Sequence, residues 1–345
     1  MQLYINYYME GVTVCKIMKL SVFIITFLWC QMYESRHFEL QELAGGVYAA
    51  IPKIGGHAIC NAGIIDLGDK TIIFDTFMSP IAAQDLLIAV KEMKLSPVAY
   101  VINSHYHNDH IRGNQIFSDE SKIISTSKTK ELIEEREPGQ IEQEKQYAKE
   151  AYSQTKALME AEKDPKKQES HLMWCGYYEA LVESHPILKT RLPDSTFEHE
   201  YIFDGPKRKA LLLCYGSGHT ESDAILILPD DKIVFMGDLV FIDMHPFMAD
   251  GDPEHWKDYL KKVEDIDMAV VVPGHGPVGT KEDLYTMIEY ITMTETLAQK
   301  MVDEGKGEND IETLAVPSPF NDWCFDNFFR VSMKFMYNRM KSIVD

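Results

Sequence analysis

SHYHNDH, residues 104–110, places His105, His107, Asp109 and His110 within six positions. Such crowding is either a polar loop that happens to be rich in histidine or a metal site, and the surrounding chain decides between them. The heptapeptide follows AYVI (99–102), a short apolar run that reads as a buried strand. The histidines therefore sit at the carboxyl end of a strand, where α/β folds place their ligands. His105 and His107 are two residues apart, so in extended backbone their side chains point the same way and can share one ion. Asp109 and His110 lie past a turn and can face a second ion nearby. Imidazole plus carboxylate is a borderline donor set suited to Zn(II), with Fe(II) or Mn(II) open. Cysteine is missing from the set, which disfavours a structural zinc site.

Moving outward, four more segments hold coordinating residues beside apolar strands. GSGHTESD carries His219, FMGDLVF carries Asp238 after IVFM (233–236), VVPGHGPVG carries His275 after AVVV (269–272), and FDT carries Asp75 after TIIF (71–74). All can converge on one edge of a sheet sandwich. Gly237 beside Asp238, and Gly274 and Gly276 around His275, permit the tight turns that aim a ligand from a short loop.

The rest of the chain supplies the frame. Residues 37–75 read as β-rich, with a Gly-Gly turn at Gly55 and Gly56 and a hairpin of GIIDL (63–67) and TIIF around Gly68-Asp69-Lys70. Residues 80–94 follow a helical period with Pro80 at the start. Residues 119–190 are rich in Glu, Lys and Gln; they read as an insertion of two or three helices, broken at Pro138 and Pro165, with solvated charged faces. Further strands are expected at 210–213, 224–228, 233–236 and 269–272, and helices at 253–265, 281–303 and 321–343.

Composition bounds the function. The chain has 345 residues, 45% of them hydrophobic, enough for a large core. With 34 Lys and Arg against 54 Asp and Glu, its net charge is −20, which argues against nucleic-acid partners. Its six cysteines are scattered without a CxxC and read as reduced thiols of a cytoplasmic protein, Cys60 and Cys214 as small buried hydrophobes. The apolar run LSVFIITFLWC (20–30) is shorter than a membrane span of about 20 residues. Residues 1–31 are expected to be an extension or leader, with Met32 a natural start of the functional chain; a membrane association or export through that run stays open.

The five motifs together resemble the metallo-β-lactamase fold superfamily of metallohydrolases: HxHxDH at His105, His107, Asp109 and His110, GHT at His219, GD at Asp238, PGHG at His275, and the early strand-end aspartate at Asp75. The likeness runs from about residue 40 to about 290, apart from the insertion. It implies an α/β fold, an αββα sandwich of two mixed sheets with outer helices, here with a helical insertion and a helical C-terminal tail. The expected organisation is an N-terminal extension or leader over 1–31, a metallo-β-lactamase-like domain over 32–295 with its helical insertion at about 119–190, and a helical tail over 296–345.

The resemblance also implies two zinc ions per chain. His105, His107 and His219 would hold one and Asp109, His110 and His275 the other, with Asp238 and a hydroxide bridging them. Asp109 would also orient the hydroxide or shuttle a proton, and Asp75, Thr220 and Asp223 would fix the ligands. The expected activity is hydrolysis of an ester, lactone, thioester or amide of a small molecule. Many β-lactam-hydrolysing relatives carry cysteine where Asp238 stands and lysine where Phe241 stands, and lactone-cleaving relatives carry a tyrosine near Phe241; this chain departs from both. An alternative is a mononuclear-iron persulfide dioxygenase-like oxidoreductase using His105, His219 and Asp238; a third is a non-enzymatic metal-binding protein. His57 is a candidate for the substrate mouth or a polar loop, and His245 for the pocket or a structural role. Trp323, Phe325 and Phe328 on the tail are expected in the core or in a homodimer contact.

Overall fold

The computed structural model describes residues 33–344; the apolar run 20–30 and the expected extension over 1–31 lie outside the described residues. The first sheet has seven strands in sequential order: β1 (Phe38–Ala44), β2 (Val47–Pro52), β3 (Ala62–Asp66), β4 (Thr71–Phe74), β5 (Val98–Ile102), β6 (Lys122–Thr126) and β7 (Ser195–Phe197). The first four form antiparallel pairs, and β4 to β7 run parallel. Helix α1 (Pro80–Glu92) makes the crossover from β4 to β5, capped by Ser79 and opened by Pro80, and the single-turn helix α2 (Asn108–Ile111) follows β5. The second sheet contains β8 (Glu200–Asp204), β9 (Lys209–Cys214), β10 (Ala224–Leu228), β11 (Ile233–Phe241) and β12 (Val270–His275), with β11 and β12 parallel.

Alternation along the strands explains the layers. Ile65, Ile72, Phe74 and Ile102 of the first sheet meet Leu212, Leu226, Phe235 and Val272 of the second, forming the sandwich interior. Ile64, Ile73 and Val101 point the other way, onto Leu86 and Ala89 of α1. On the far side, Ile225, Val234 and Val271 pack under three helices: α5 (Pro253–Glu264) through Trp256 and Leu260, α6 (Glu282–Asp303) through Met287 and Ile291, and α7 (Asp326–Val344) through Phe329 and Met333. This is the αββα sandwich, with two mixed sheets and helices on both outer faces. Trp323 belongs to this outer core, its ring stacked on Tyr290 at 5.2 Å.

The insertion departs from its sequence reading in two ways. Residues 122–126 are the core strand β6, not part of the helical insertion, which is the hairpin α3 (Ser127–Ala161) and α4 (Pro165–Ser184). Pro165 begins α4, as expected, but α3 continues through Pro138. Proline there leaves the Glu134 carbonyl without its helical donor; Glu134 is exposed, so water can take that place. The hairpin docks onto the loop between β2 and β3 through glycine: a Cβ on Gly176 would come within 2.6 Å of the Gly56 carbonyl oxygen. Among the described residues, no helix is long and apolar enough to cross a membrane.

Candidate metal centre

His105, His107, Asp109 and His110 follow the carboxyl end of β5, Asp75 that of β4, and His219 sits between β9 and β10; His275 is the last residue of β12, and Asp238 lies inside β11, which runs on past the expected end at 236 to Phe241. The backbone builds the site before any side chain does. At Gly274 a Cβ would fall 1.9 Å from Asp238 Oδ1, and Gly276 sits at φ +99°, so only glycine lets the His275 loop lie this close to Asp238. Asp75 itself adopts φ +60°, a left-handed conformation that aspartate tolerates better than most residues.

The seven ligand candidates come together. His105, His107, His219 and Asp238 offer atoms that all lie within 4.8 Å of one another, and so do His110, Asp238 and His275. Asp238 Oδ2 is 3.3 Å from His219 Nε2, 3.4 Å from His275 Nε2 and 3.8 Å from His105 Nε2, while its Oδ1 is 3.1 Å from His110 Nε2. Asp109 Oδ2 stands 3.3 Å from His275 Nε2 and 3.7 Å from His110 Nε2. Asp238 thus touches both groups.

Several of these atoms lack what burial demands. His105 Nε2, His110 Nε2 and Asp238 Oδ1 are buried without a hydrogen bond, although buried polar groups are normally paired. They face one another across a small space lined by imidazole nitrogens and carboxylate oxygens. That chemistry fits divalent cations, which would take every lone pair at once. Charge tells the same story. Burial, aided by the neighbouring histidines, lowers His219 to about 3 and His105 well below its usual range. At His275 burial works in the same sense, but Asp238 and Asp109 outweigh it and raise the ring to about 9. Burial would raise Asp109, yet His110 and His275 hold it down at about 2.

Hydrogen bonds from outside aim the rings. Asp75 accepts from Ser104 N and Oγ and from His110 Nδ1, each at 2.8 Å, so His110 turns Nε2 inward. Thr220 N and Oγ1 both donate to Asp223 at 2.9 Å, which fixes the loop carrying His219 rather than its ring. Burial pushes Asp223 up to about 7.

Four contributors, Asp250, Tyr106, Arg136 and Arg112, carry no sequence signal of their role. Asp250, in the loop after β11, lies 3.1 Å from His107 Nε2, leaving Nδ1 to face His219 Nε2 at 3.0 Å. Tyr106, between the two histidines of the motif, donates a short hydrogen bond to the same carboxylate, and Arg136 of α3 donates to the Tyr106 hydroxyl at 2.6 Å and to Glu221 at 2.7 Å. Arg112, just past the motif, is buried between Glu137 and Glu144 of α3, at 2.8 Å from each. The charged face of α3 is therefore partly buried against the site, a correction to its reading as solvated. Asp250 lies in a segment with no motif, and Tyr106 was hidden by its neighbours; the Arg112 pairing has no local signal at all.

The remaining candidates are placed as follows. His57 is fully buried, 2.9 Å from Glu179 and 3.7 Å from Glu183 of α4, so it is neither a mouth residue nor an exposed loop. His245 is buried with Nδ1 2.9 Å from the Tyr290 hydroxyl, a structural position. Phe241 stacks on the His275 ring at 5.1 Å. From His107, aromatic contacts run through Phe247 and Phe328 to Trp174 of α4, which joins the tail and the insertion beside the site.

A sequence profile of the metallo-beta-lactamase superfamily matches residues 55–275. The fold is similar to that of a metallo-beta-lactamase from Pontibacter korlensis, with a TM-score of 0.54 and 19% identity over 74% of this chain and 99% of that one. It is likewise similar to a metallo-beta-lactamase from Hirschia baltica, with a TM-score of 0.53 and 17% identity over 74% and 98%. At such identities the likeness is one of fold. A comparison with curated proteins finds no match.

Proposed function

The chain belongs to the metallo-beta-lactamase superfamily, and from that premise we propose that it is a hydrolase working through two divalent ions, zinc in the first instance, on an ester, lactone, thioester or amide of a small molecule. One observation carries the reading: seven donors from four separate segments of the chain converge, and buried atoms among them have no other partner. His105, His107 and His219 would hold one ion and Asp109, His110 and His275 the other, with Asp238 shared. When bound, such ions supply hydroxide at neutral pH and polarise the scissile carbonyl.

The chain's own residues do the rest. Asp109, kept ionised by His110 and His275, can accept a proton from a water or orient it. Asp75 and Asp250 hold His110 and His107 in single tautomers. Phe241 and Trp256, packed on His275 and His219, keep bulk water from the rings. Phe241 also offers no charge or hydroxyl to a substrate, which supports a neutral acyl group over a carboxylated drug. The close packing of Asp109, His110 and His275 supports two ions over a lone iron.

The test is metal analysis of protein purified without added metal, followed by a panel of lactones, thioesters, esters and β-lactams. About two zinc ions per chain and turnover on a panel member are expected. About one iron per chain with persulfide-dependent oxygen uptake, or a metal-loaded folded protein inert to the whole panel, overturns the reading.

A further inference from the structure

The donors named so far are histidines and carboxylates. Another group reaches the second set from the loop between β2 and β3. Cys60 is fully buried, and its Sγ, an Asp109 carboxylate oxygen and a His110 nitrogen all lie within 4.8 Å of one another. The thiol donates to the Asp109 backbone carbonyl at 2.8 Å. His110, already a donor of the second position, marks this space as short of a partner. Its Nδ1 is taken by Asp75, while Nε2, fully buried, makes no hydrogen bond. Ligand atoms bound to one ion at about 2.0–2.3 Å stand roughly 3–3.5 Å apart, so atoms within 4.8 Å close on an ion by drawing in by about an ångström.

The loop around Cys60 is built to hold that position. Ile59 adopts φ +73°, a left-handed conformation that a β-branched residue avoids unless its surroundings impose it. Asn61 donates through Nδ2 to the carbonyls of Pro273 at 2.8 Å and Gly276 at 2.9 Å, tying the same loop to the one that carries His275. The thiol thus stands between a strained residue and an anchor to another ligand loop. Burial among apolar neighbours alone requires neither.

We propose that Cys60 is a thiolate ligand of the second metal position, beside Asp109 and His110. The inference rests on the reading of this site as a metal centre. On binding, the S–H bond gives its proton to solvent and the sulfur lone pair forms the bond to the ion. The two positions then differ in kind. One is held by imidazoles and a carboxylate; the other adds a soft sulfur that favours zinc or cobalt over manganese. The sequence reading, which found no cysteine in the donor set, missed it because Cys60 lies 45 residues before the motif in a segment with no motif of its own.

Cobalt(II) substitution tests this on the full chain. The wild type, Cys60→Ser and Cys60→Ala are loaded with cobalt, and binding is measured by metal analysis and visible ligand-field bands. The expected result is a near-ultraviolet thiolate-to-cobalt charge-transfer band in the wild type that both variants lack. The weaker-held ion should also yield to a chelator at least about tenfold more readily in Cys60→Ser. In the metal-free protein Cys60→Ser keeps the hydrogen bond to the Asp109 carbonyl and so the loop, and a band lost there reports the missing sulfur ligand. Bound cobalt without the band overturns the proposal and leaves the metal centre standing, as does a band that survives in Cys60→Ser. No cobalt binding at all overturns the metal centre and this inference with it.

Discussion

The strand-end loops and the helical hairpin reach the same site by different physics. The loops bring ligands close by removing bulk: Gly274 and Gly276 let His275 and Asp238 approach within 3.4 Å. The hairpin acts through charge, gripping Arg112 with Glu137 and Glu144 and bracing Asp250 through Arg136 and Tyr106. The first device determines which atoms meet. The second determines how firmly the pieces that carry them are held, and so its failure should appear in stability and affinity before it appears in the chemistry.

The largest effect belongs to the loops. Asp238→Ala removes the carboxylate that touches both ligand groups, and a Lewis-acid centre is worth several kcal/mol of barrier. Activity on any panel substrate should fall by about a thousandfold or more, and bound metal should drop from about two ions to one or none, as metal analysis reads directly. Full metal content in this variant would break the comparison, since the loops would not then define the centre. Arg112→Ala should instead act on folding. It leaves Glu137 and Glu144 buried without their cation, a loss of about 3–5 kcal/mol, seen as a lower urea midpoint. Removing all three charges together, with Arg112→Met, Glu137→Gln and Glu144→Gln, should recover part of that loss. Metal stoichiometry at saturating zinc should survive in both.

This division also explains what could be read from the chain alone. Each ligand loop is local: an apolar strand, a turn and a donor within a few residues, as in IVFMGD at Asp238 and VVPGH at His275. Most of the strands follow from the same apolar runs, and α1, α5 and α6 follow from periodicity, while the order of strands in each sheet is set by tertiary pairing. The hairpin's contribution is nonlocal. Glu137 and Glu144 look like any other acids of a Glu-rich helix, and only the tertiary position of Arg112 buries them. Strand β6 was lost for a related reason: KIIST carries four consecutive buried residues, yet it sits against a charged helix and was absorbed into its texture. Pro138 misled in the opposite direction, because a breaker on an exposed face can be hydrated and need not end a helix.

Asp250 is where the two devices meet, and it sharpens the comparison at smaller amplitude. The carboxylate belongs to a strand-end loop, but Tyr106 and Arg136 brace it from the motif and the hairpin. Asp250→Asn weakens its hold on His107 Nε2, and outer partners of metal ligands are typically worth 10–100-fold in affinity, roughly 1.4–2.7 kcal/mol. Chelator competition should show that loss at one ion only, with Arg136→Ala giving a fraction of it. Equal weakening of both ions would mean that the hairpin supports the site as a whole and not through His107.

The smallest expected effect lies where a strand-end loop meets the tail. His245, just past β11, is enclosed by Tyr290, Trp323 and Phe329. Burial lowers its pKa from 6.5 to about 4, with Asp326 opposing and Arg330 assisting. The unfolded chain takes up this proton near the ordinary value, while the folded chain resists it until the lower one. Between those values the unfolded state binds more protons, so the contribution is complete above 6.5 and is lost as the pH falls toward 4. By about pH 5.5 this one group should cost about 1 kcal/mol of stability. Urea unfolding of the metal-free protein across that window, beside His245→Asn, isolates the term: the variant's midpoint should fall less steeply as acid is added. Parallel curves would mean that the neutral ring is not what joins this loop to the tail, and that the aromatic packing of Trp323 and Phe329 holds the junction without it.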